Sequence, residues 1–234
     1  MAARARGERE CVRHVPSHEA GGAVKEKKTL AASEQDPEAR AAWRQAVSML
    51  DPKKLVFIDE AGNHTAMTRT QARAPKGQRA FGSVPRNRGG NLTLLAALSK
   101  ERIQAEWLIE GSVDGEVFVT WVEHVLLPTL TPGQMVVMDN LRAHYRKEVR
   151  TLIEARGCGL LYLPPYSPDF SPIELAFSKI KGHLKSLAAR TRQALADAIA
   201  EACRTVGSVD VAGWFRHCGY NEVVQEPLSK ERFP

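Results

Sequence analysis

Three acidic residues have the types and positions that divalent-metal chemistry requires, namely Asp59, Asp139 and Glu174. The two aspartates directly follow the apolar runs 55–58 and 135–138, a pattern typical of strands that are covered on both faces. Open α/β sheets bind their ligands just beyond the carboxyl ends of such strands, so we expect both carboxylates at one site. Carboxylate oxygens are hard ligands, and three that converge suit a pair of divalent cations.

Glu174 is predicted to lie in the first turn of a helix. Prolines delay the helix until Pro172, which fits the first helical position with Ser171 as the N-cap. An apolar stripe predicts that one face of this helix packs on the sheet. The stripe consists of Ile173, Phe177, Ile180, Leu184 and Leu187. A neighbouring face consists of Glu174, Ser178, Lys181 and Lys185. A carboxylate and two ammonium groups therefore share one side of the helix, whose N-terminal end favours anions.

Each of these acidic residues also has an ordinary structural interpretation. Ser171 and Glu174 match a capping box, in which the glutamate only bonds back to the N-cap amide. A single aspartate at the end of a strand is often a turn-former. Glu60 follows Asp59 directly, so on a strand it points to the opposite face and is not predicted to be a ligand. The joint occurrence of two acidic strand ends and one acidic helix start favours the metal site.

Six short segments carry a resemblance to a known family. They are Phe57-Ile58-Asp59-Glu60-Ala61-Gly62, Ala66-Met67-Thr68-Arg69, Arg73-Ala74-Pro75-Lys76-Gly77-Gln78-Arg79, Val136-Val137-Met138-Asp139-Asn140, Leu163-Pro164-Pro165-Tyr166-Ser167-Pro168-Asp169 and Pro172-Ile173-Glu174. Together they resemble the catalytic domain of bacterial insertion-sequence transposases of the mariner superfamily, which carries an Asp-Asp-Glu endonuclease triad. The resemblance extends over residues 27 to 220. Ser171 stands where that family usually has asparagine, and both residues are good N-caps.

The resemblance implies an α/β protein with the ribonuclease-H-like fold, a mixed five-stranded sheet with helices on both faces. It assigns catalysis and metal binding to Asp59, Asp139 and Glu174, with two Mg²⁺ or Mn²⁺ ions as cofactors. The implied reaction is metal-dependent DNA strand cleavage followed by strand transfer of a mobile element, an in-line phosphoryl displacement. Two alternatives stay open, an inactive or truncated transposase-derived DNA-binding protein and a metal-dependent nuclease that does not join ends.

Three neighbouring residues invite a catalytic interpretation that the sequence does not require. Asn140 and His144 resemble a recurrent pair of the same family. His144 would contact phosphate or assist proton transfer, or it would be a structural histidine near a strand end, so neither residue is included in the catalytic set. Tyr166 is not expected to be a recombinase-type nucleophile, because it lies in a proline-rich turn and the metal triad makes a covalent intermediate unnecessary.

The charge distribution favours a polyanionic partner. The formal net charge is +6 and the pI is near 9.2. The stretch 65–90, which begins shortly after Asp59, contains no acidic residue. Its cationic residues are Arg69, Arg73, Lys76, Arg79, Arg86 and Arg88. We predict that DNA binds to Arg69, Arg73, Lys76, Arg79, Lys181 and Lys185. The alternative for the stretch is a solvated hairpin loop.

The predicted organisation has five parts. They are a disordered tail over 1–26, a linker with one helix over 27–52, a DDE catalytic domain over 53–190, C-terminal helices packed on the core over 191–220, and a tail over 221–234. The predicted strands are 54–59, 65–69, 92–99, 105–110, a strand ending at Asp139, and 160–163. Helices are expected near 114–127, 146–156, 191–206 and 209–218.

The expected partners follow from the resemblance. They are DNA, as element ends and as target, and a second copy of the chain in a homodimer. The first fifty residues are too short and too polar to build a helix-turn-helix, so a companion polypeptide with that motif is a further candidate partner. The cysteines lack zinc-site spacing, and neither a signal peptide nor a membrane span is predicted. We therefore expect a cytoplasmic, nucleoid-associated protein without a membrane partner.

Overall fold

A mixed five-stranded sheet forms the centre of the protein in the computed structural model, which describes residues 32–221. The strands are β1 (Leu55–His64), β2 (Asn91–Leu98), β3 (Ile103–Glu110), β4 (Met135–Met138) and β5 (Gly159–Tyr162). Their order across the sheet is β3-β2-β1-β4-β5. The first three strands pair antiparallel, whereas β4 pairs parallel with both β1 and β5. This arrangement confirms the predicted mixed sheet.

Helices cover both faces of the sheet, as predicted. They are α1 (Pro37–Ser48), α2 (Gly115–Trp121), α3 (Lys147–Ala155), α4 (Pro172–Leu187), α5 (Arg192–Arg204) and α6 (Ser208–His217). One apolar core lies between the sheet and the side chains of α4, α5 and α6, and the other is filled from α2 and α3. Two buried cores on opposite sides of one sheet identify the α/β architecture.

Successive side chains of β1 point to opposite faces of the sheet. Phe57 and Ala61 belong to the core under α4, whereas Val56 and Ile58 belong to the core under α2. Because side chains of a strand alternate with a period of two, Asp59 lies on the α4 side. The sheet therefore presents this carboxylate to the helix that carries Glu174.

The predicted strand over 65–69 is wrong, and so is the prediction that β1 ends at Asp59. β1 continues to His64, because β2 pairs with it in an antiparallel register as far as His64 opposite Asn91. β4 pairs with β1 only over the segment that ends at Phe57. Asp59 therefore lies inside β1, at a point where β2 still pairs with β1 but β4 no longer does.

The apolar stripe on α4 is buried except at its end. Ile173, Phe177, Ile180 and Leu184 are all buried, but 46% of Leu187 is exposed. The next residue, Ala188, takes a left-handed conformation with a φ of 50° and ends the helix. Leu187 is thus the last helical residue, where the chain turns away from the core, and its assignment to the packed face is wrong.

Parts of the predicted organisation fall outside the described residues. The tail over 1–26 does so entirely, and the tail over 221–234 does so except for its first residue. The helix predicted for the linker over 27–52 is α1. Across residues 32–221, no helix has the length and apolar character needed to span a membrane.

Phe177→Ala tests the packing of α4. The ring is 2% exposed, so its removal leaves a cavity between helix and sheet and lowers the free energy of unfolding by about 3–5 kcal/mol. Leu187→Ala on the same helix is the control, with a change within about 0.5 kcal/mol. Urea denaturation followed by circular dichroism measures both, and equal losses would contradict this packing.

Candidate active site

The side chains of Asp59, Asp139 and Glu174 line one cavity of about 410 Å³. Asp59 comes from the middle of β1, Asp139 is the residue after β4, and Glu174 lies in the first turn of α4. Three elements that are distant in sequence therefore bring three carboxylates to the same opening. The structure thus collects the three residues that the sequence singled out.

The sheet register explains why the two aspartates meet. Phe57 pairs with Val137 in the parallel ladder between β1 and β4. Asp59 lies two residues further on in β1, and Asp139 follows the last residue of β4, so both carboxylates come from the same end of this ladder, where the cavity opens. The face of β1 that carries Asp59 is the one covered by α4.

Glu174 is free to face the cavity because it takes no part in capping its helix. Ser171 occupies the N-cap in an extended conformation, but its side chain makes no capping hydrogen bond. The amide of Ser171 donates to the carbonyl of Pro168 at 2.9 Å, so the reciprocal bond of a capping box is not formed. The capping-box interpretation is therefore wrong, and the Glu174 side chain is exposed at the cavity.

The ionised form of Asp59 is disfavoured in the cavity. Burial raises the pKa of Asp59 to about 8, and repulsion from Glu174 and from Asp139 acts in the same direction. The amide of Glu60 donates to its Oδ1 at 2.8 Å and offsets part of this effect. A positive charge placed in the cavity would relieve the same repulsion.

Asp139 is held by His144, which lies between two carboxylates. The Nδ1 atom of His144 is 2.6 Å from Asp139 Oδ1, and its Nε2 atom is 3.2 Å from Glu60 Oε2. Burial lowers the pKa of His144, but the two acidic contacts more than offset this and raise it to about 9. Burial alone would raise the pKa of Asp139. The contact with His144 and the hydrogen bond from the Leu141 amide outweigh burial, so the pKa of Asp139 is lowered.

His144 and Asn140 have structural contacts. His144 is fully buried, with its ring 4.4 Å from that of Phe118, so it does not reach a phosphate in the cavity. Asn140 donates from Nδ2 to the Leu163 carbonyl at 2.6 Å and accepts a hydrogen bond from the Tyr145 hydroxyl. These bonds hold the ends of β4 and β5 together beside the cavity.

The three carboxylates share the cavity without converging on one point. Among residues 32–221, no group of three or more His, Cys, Asp or Glu side chains is arranged closely enough to hold a metal ion as it stands. Asp139 instead faces His144, and Asp59 bonds to the adjacent amide. Repulsion between like charges favours such separation. The metal-binding roles of the triad stay predictions at this stage.

The predicted cationic DNA-binding residues do not line the cavity. Four of them are exposed in the irregular connection 65–90 between β1 and β2. They are Arg69, Arg73, Lys76 and Arg79. This connection begins after His64, and five strand steps of ~3.3 Å place its start about 16 Å along β1 from Asp59. The connection therefore starts well outside contact distance of Asp59.

One arginine fixes the start of that connection. Arg190 donates from Nη1 to the carbonyls of Thr65 at 2.8 Å and Met67 at 3.0 Å. Arg190 follows α4, so the same part of the chain that carries Glu174 also anchors the basic stretch. Lys181 and Lys185 continue the side of α4 that begins with Glu174, about 10 Å and 16 Å along the helix at ~1.5 Å per residue.

Two groups of contacts around the site are not predicted by the sequence. Glu60 is the second partner of His144, although its position on the opposite face of β1 from Asp59 is as predicted. Gln35 and Arg40 of the N-terminal region bond to the proline-rich loop that precedes Glu174. No local pattern reveals contacts between residues that lie more than a hundred positions apart.

Comparisons with known proteins agree with the fold. A family model described as DDE superfamily endonuclease matches residues 54–196. The structure is similar to that of a pre-cleavage Mos1 transpososome, with a TM-score of 0.68 and 14% identity over 85% of this chain and 64% of that chain. It is also similar to a Mos1 mariner paired end complex with Mn, with a TM-score of 0.65 and 15% identity over 85% of this chain and 64% of that one.

A third similar structure contains less than the full protein. It is the catalytic domain of Mos1 mariner transposase, with a TM-score of 0.57 and 12% identity over 81% of this chain and 91% of that chain. A search of curated proteins found no match. This chain spans just under two thirds of the first two structures, at 64% of their length. At such identities the similarity shows a shared fold.

Asp59→Asn is expected to stabilise the protein in EDTA by about 1–2 kcal/mol near pH 8, a value kept small because water reaches the cavity. The folded-state pKa of Asp59 is raised, so its charge costs stability increasingly as the pH rises from about 4 to about 8. The gain should therefore vanish near pH 4. Thermal unfolding across this pH range measures it.

Asp139→Asn is the matched control, and it is expected to change the stability of the protein in the opposite direction. It removes the carboxylate that contacts buried His144, so it should destabilise the protein at neutral pH. If both substitutions changed the unfolding temperature in the same direction, the electrostatic description of the cavity would be wrong.

Proposed function

Since this chain belongs to the DDE superfamily of endonucleases, we propose that it is the catalytic part of a mariner-type transposase, which cuts DNA and joins the freed 3′ end to target DNA. The observation that carries the proposal is that Asp59, Asp139 and Glu174 all line one cavity. All three come from the matched segment 54–196. The similar structures include a pre-cleavage transpososome and a strand transfer complex of Mos1.

We propose Mg²⁺ or Mn²⁺ as the cofactor, held as two ions by the three carboxylates. The donors fit this assignment because their oxygens are hard ligands, and because the charge of Asp59 is repelled by both partners. Similar Mos1 structures are complexes with Mg and with Mn. When bound, such ions supply Lewis-acid activation of the attacking hydroxyl and stabilise the leaving 3′-oxygen.

The protein's own contribution is to prepare the carboxylates and to position the DNA. His144 keeps Asp139 ionised and restricts its orientation, since a buried cation next to the carboxylate favours its charged form. Glu60 lies against the second nitrogen of His144, so each nitrogen of the buried ring faces a carboxylate. Apolar residues beside the triad, including Ile58 and Leu163, would form the wall next to a bound phosphate.

The proposed DNA path runs from the cavity toward the basic connection and along α4. A distance of about 16 Å corresponds to about five base-pair steps at ~3.4 Å each, so one duplex can reach both the carboxylates and the residues after His64. Lys181 and Lys185 would contact backbone phosphates on the α4 side. These contacts would hold the duplex in place without reading its sequence.

The partners proposed are the DNA of the element ends, the target DNA and a second copy of this chain. Paired-end complexes among the similar Mos1 structures support assembly on two element ends. A helix-turn-helix companion polypeptide is a further proposed partner. A cytoplasmic, nucleoid-associated location is proposed because the substrate is DNA.

Plasmid nicking tests the metal-dependent step. The full chain should nick supercoiled DNA in Mg²⁺ or Mn²⁺ and be inactive in EDTA. Asp139→Asn and Glu174→Gln should each slow nicking by at least about 100-fold, because each removes a charged oxygen ligand. The control Glu123→Gln neutralises an exposed glutamate on another part of the surface and should leave the rate unchanged. Nicking that survives the triad substitutions would contradict the proposal.

Strand transfer separates the proposed transposase from its alternatives. A pre-cut duplex with a free 3′-hydroxyl should be joined to target DNA under the conditions that support nicking. Nicking without joined product identifies a nuclease that does not join. Binding of DNA without nicking identifies an inactive relative.

Neutralising the basic connection tests the DNA path. The triple variant Arg73→Gln, Lys76→Gln and Arg79→Gln should weaken duplex binding equally for unrelated sequences. It should also reduce the slope of log affinity against log salt by ~0.9 for each phosphate that is no longer neutralised, up to ~2.7. The charge-matched control is Lys53→Gln, Arg204→Gln and Arg216→Gln, all exposed and outside the connection. Equal changes in both variants would show a general charge effect only.

A further inference from the structure

We propose that Arg40 of helix α1 is a positioning residue for the active site, which it serves by holding residues 167–170 and thereby setting where Glu174 enters the cavity. The inference deepens the proposed function and rests on it. Arg40 lies outside the segment 54–196 that the family model matches, so nothing in that match assigns it a role. The structure nevertheless connects it to the loop that leads into α4.

The guanidinium of Arg40 makes three hydrogen bonds to this loop. Its Nη1 atom donates to Ser167 Oγ at 2.7 Å and to Asp169 Oδ1 at 2.9 Å, and its Nη2 atom donates to Asp169 Oδ2 at 2.7 Å. The two bonds to Asp169 form a fork, which fixes direction as well as distance. Only 12% of the Arg40 side chain is exposed, and its guanidinium carbon lies 4.2 Å from the centre of the Phe170 ring. The contact is therefore well shielded from water on the arginine side.

A short series of backbone bonds leads from this contact to Glu174. Phe170 donates from its amide to the Ser167 carbonyl at 3.1 Å, and Ser171 donates to the Pro168 carbonyl at 2.9 Å. Glu174 then donates from its amide to the Ser171 carbonyl at 3.2 Å. Each bond closes a tight turn, so a shift of residues 167–170 is passed on to the first turn of α4. Ser167 and Ser171 are both buried and line the cavity.

Helix α1 is itself attached to the same loop at other points. Gln35 donates from Nε2 to the Tyr166 carbonyl at 2.7 Å. Trp43 donates from Nε1 to the Tyr220 hydroxyl at 3.3 Å, and that hydroxyl donates to the Phe170 carbonyl at 2.6 Å. These contacts are independent of Arg40. Removing the guanidinium should therefore leave α1 docked, while the side chains of Ser167 and Asp169 lose their anchor and the loop shifts between its two remaining attachments.

Two roles for the contact have to be separated by experiment. If Arg40 only ties α1 to the domain, its loss lowers the unfolding temperature and leaves the affinity of the carboxylates for a cation unchanged. If it positions Glu174, its loss weakens cation binding, because groups that orient metal ligands typically change affinity by about 10–100-fold. Cation affinity is thus the deciding measurement.

The test uses the full chain without DNA and titrates it with Mn²⁺, with the free ion followed by electron paramagnetic resonance. Arg40→Ala should bind Mn²⁺ at least about tenfold more weakly, and amide exchange in residues 166–175 should be faster. Arg40→Lys should lie between it and the wild type, because an ammonium keeps charge but loses the fork. Arg44→Ala is the matched control: its guanidinium carbon lies 5.1 Å from the Phe170 ring centre. Its Mn²⁺ affinity should stay within about twofold of the wild type.

The outcomes are distinct. Unchanged Mn²⁺ affinity in Arg40→Ala overturns the positioning role, as does an equal loss in Arg44→Ala. If Arg40→Ala does not fold, Asp169→Asn decides, since it breaks the same fork and leaves Arg40 and α1 intact; tenfold weaker binding supports the role and unchanged binding overturns it. A wild-type chain that binds no Mn²⁺ overturns the proposed function itself, and the positioning role with it.

Discussion

Mutual repulsion among Asp59, Asp139 and Glu174 is the constraint on which the rest of this structure depends. The parallel pairing of β1 with β4 brings the two aspartates to one end of the ladder, and the start of α4 brings the third carboxylate to the same cavity. Bringing these carboxylates together costs free energy when they are ionised, since burial and repulsion raise the pKa of Asp59 to about 8. The surrounding core must therefore hold them in place. Such stored electrostatic strain is typical of sites that bind cations.

The structure holds the three carboxylates in three different ways. Asp59 is held within β1, which pairs with β2 from Phe57 to His64. Asp139 follows the last residue of β4 and is oriented by buried His144, which in turn is balanced by Glu60. Glu174 depends on the loop before α4, and that loop is fastened to α1 through Arg40. The third carboxylate is therefore the one whose position depends most on long-range side-chain contacts.

The sequence is sufficient to predict the architecture and the identity of the three carboxylates that share the cavity. Apolar runs that end in aspartate, and a proline that can only begin a helix, are local signals with a direct physical meaning. The end of β1 is not predictable in this way, because its extension to His64 depends on pairing with β2. The contacts of Arg40 and of Glu60 escape prediction for the same reason, since they join residues that are far apart in the chain. Local patterns specify elements, whereas tertiary pairing decides where they end and which polar groups meet.

The most direct test of the metal-binding role of the triad is the anomalous diffraction of crystals grown or soaked in MnCl₂. We predict Mn²⁺ peaks inside the cavity, within direct coordinating distance of carboxylate oxygens from Asp59, Asp139 and Glu174. Peaks confined to other acidic residues, or coordination that leaves out one of these three side chains, would contradict that role.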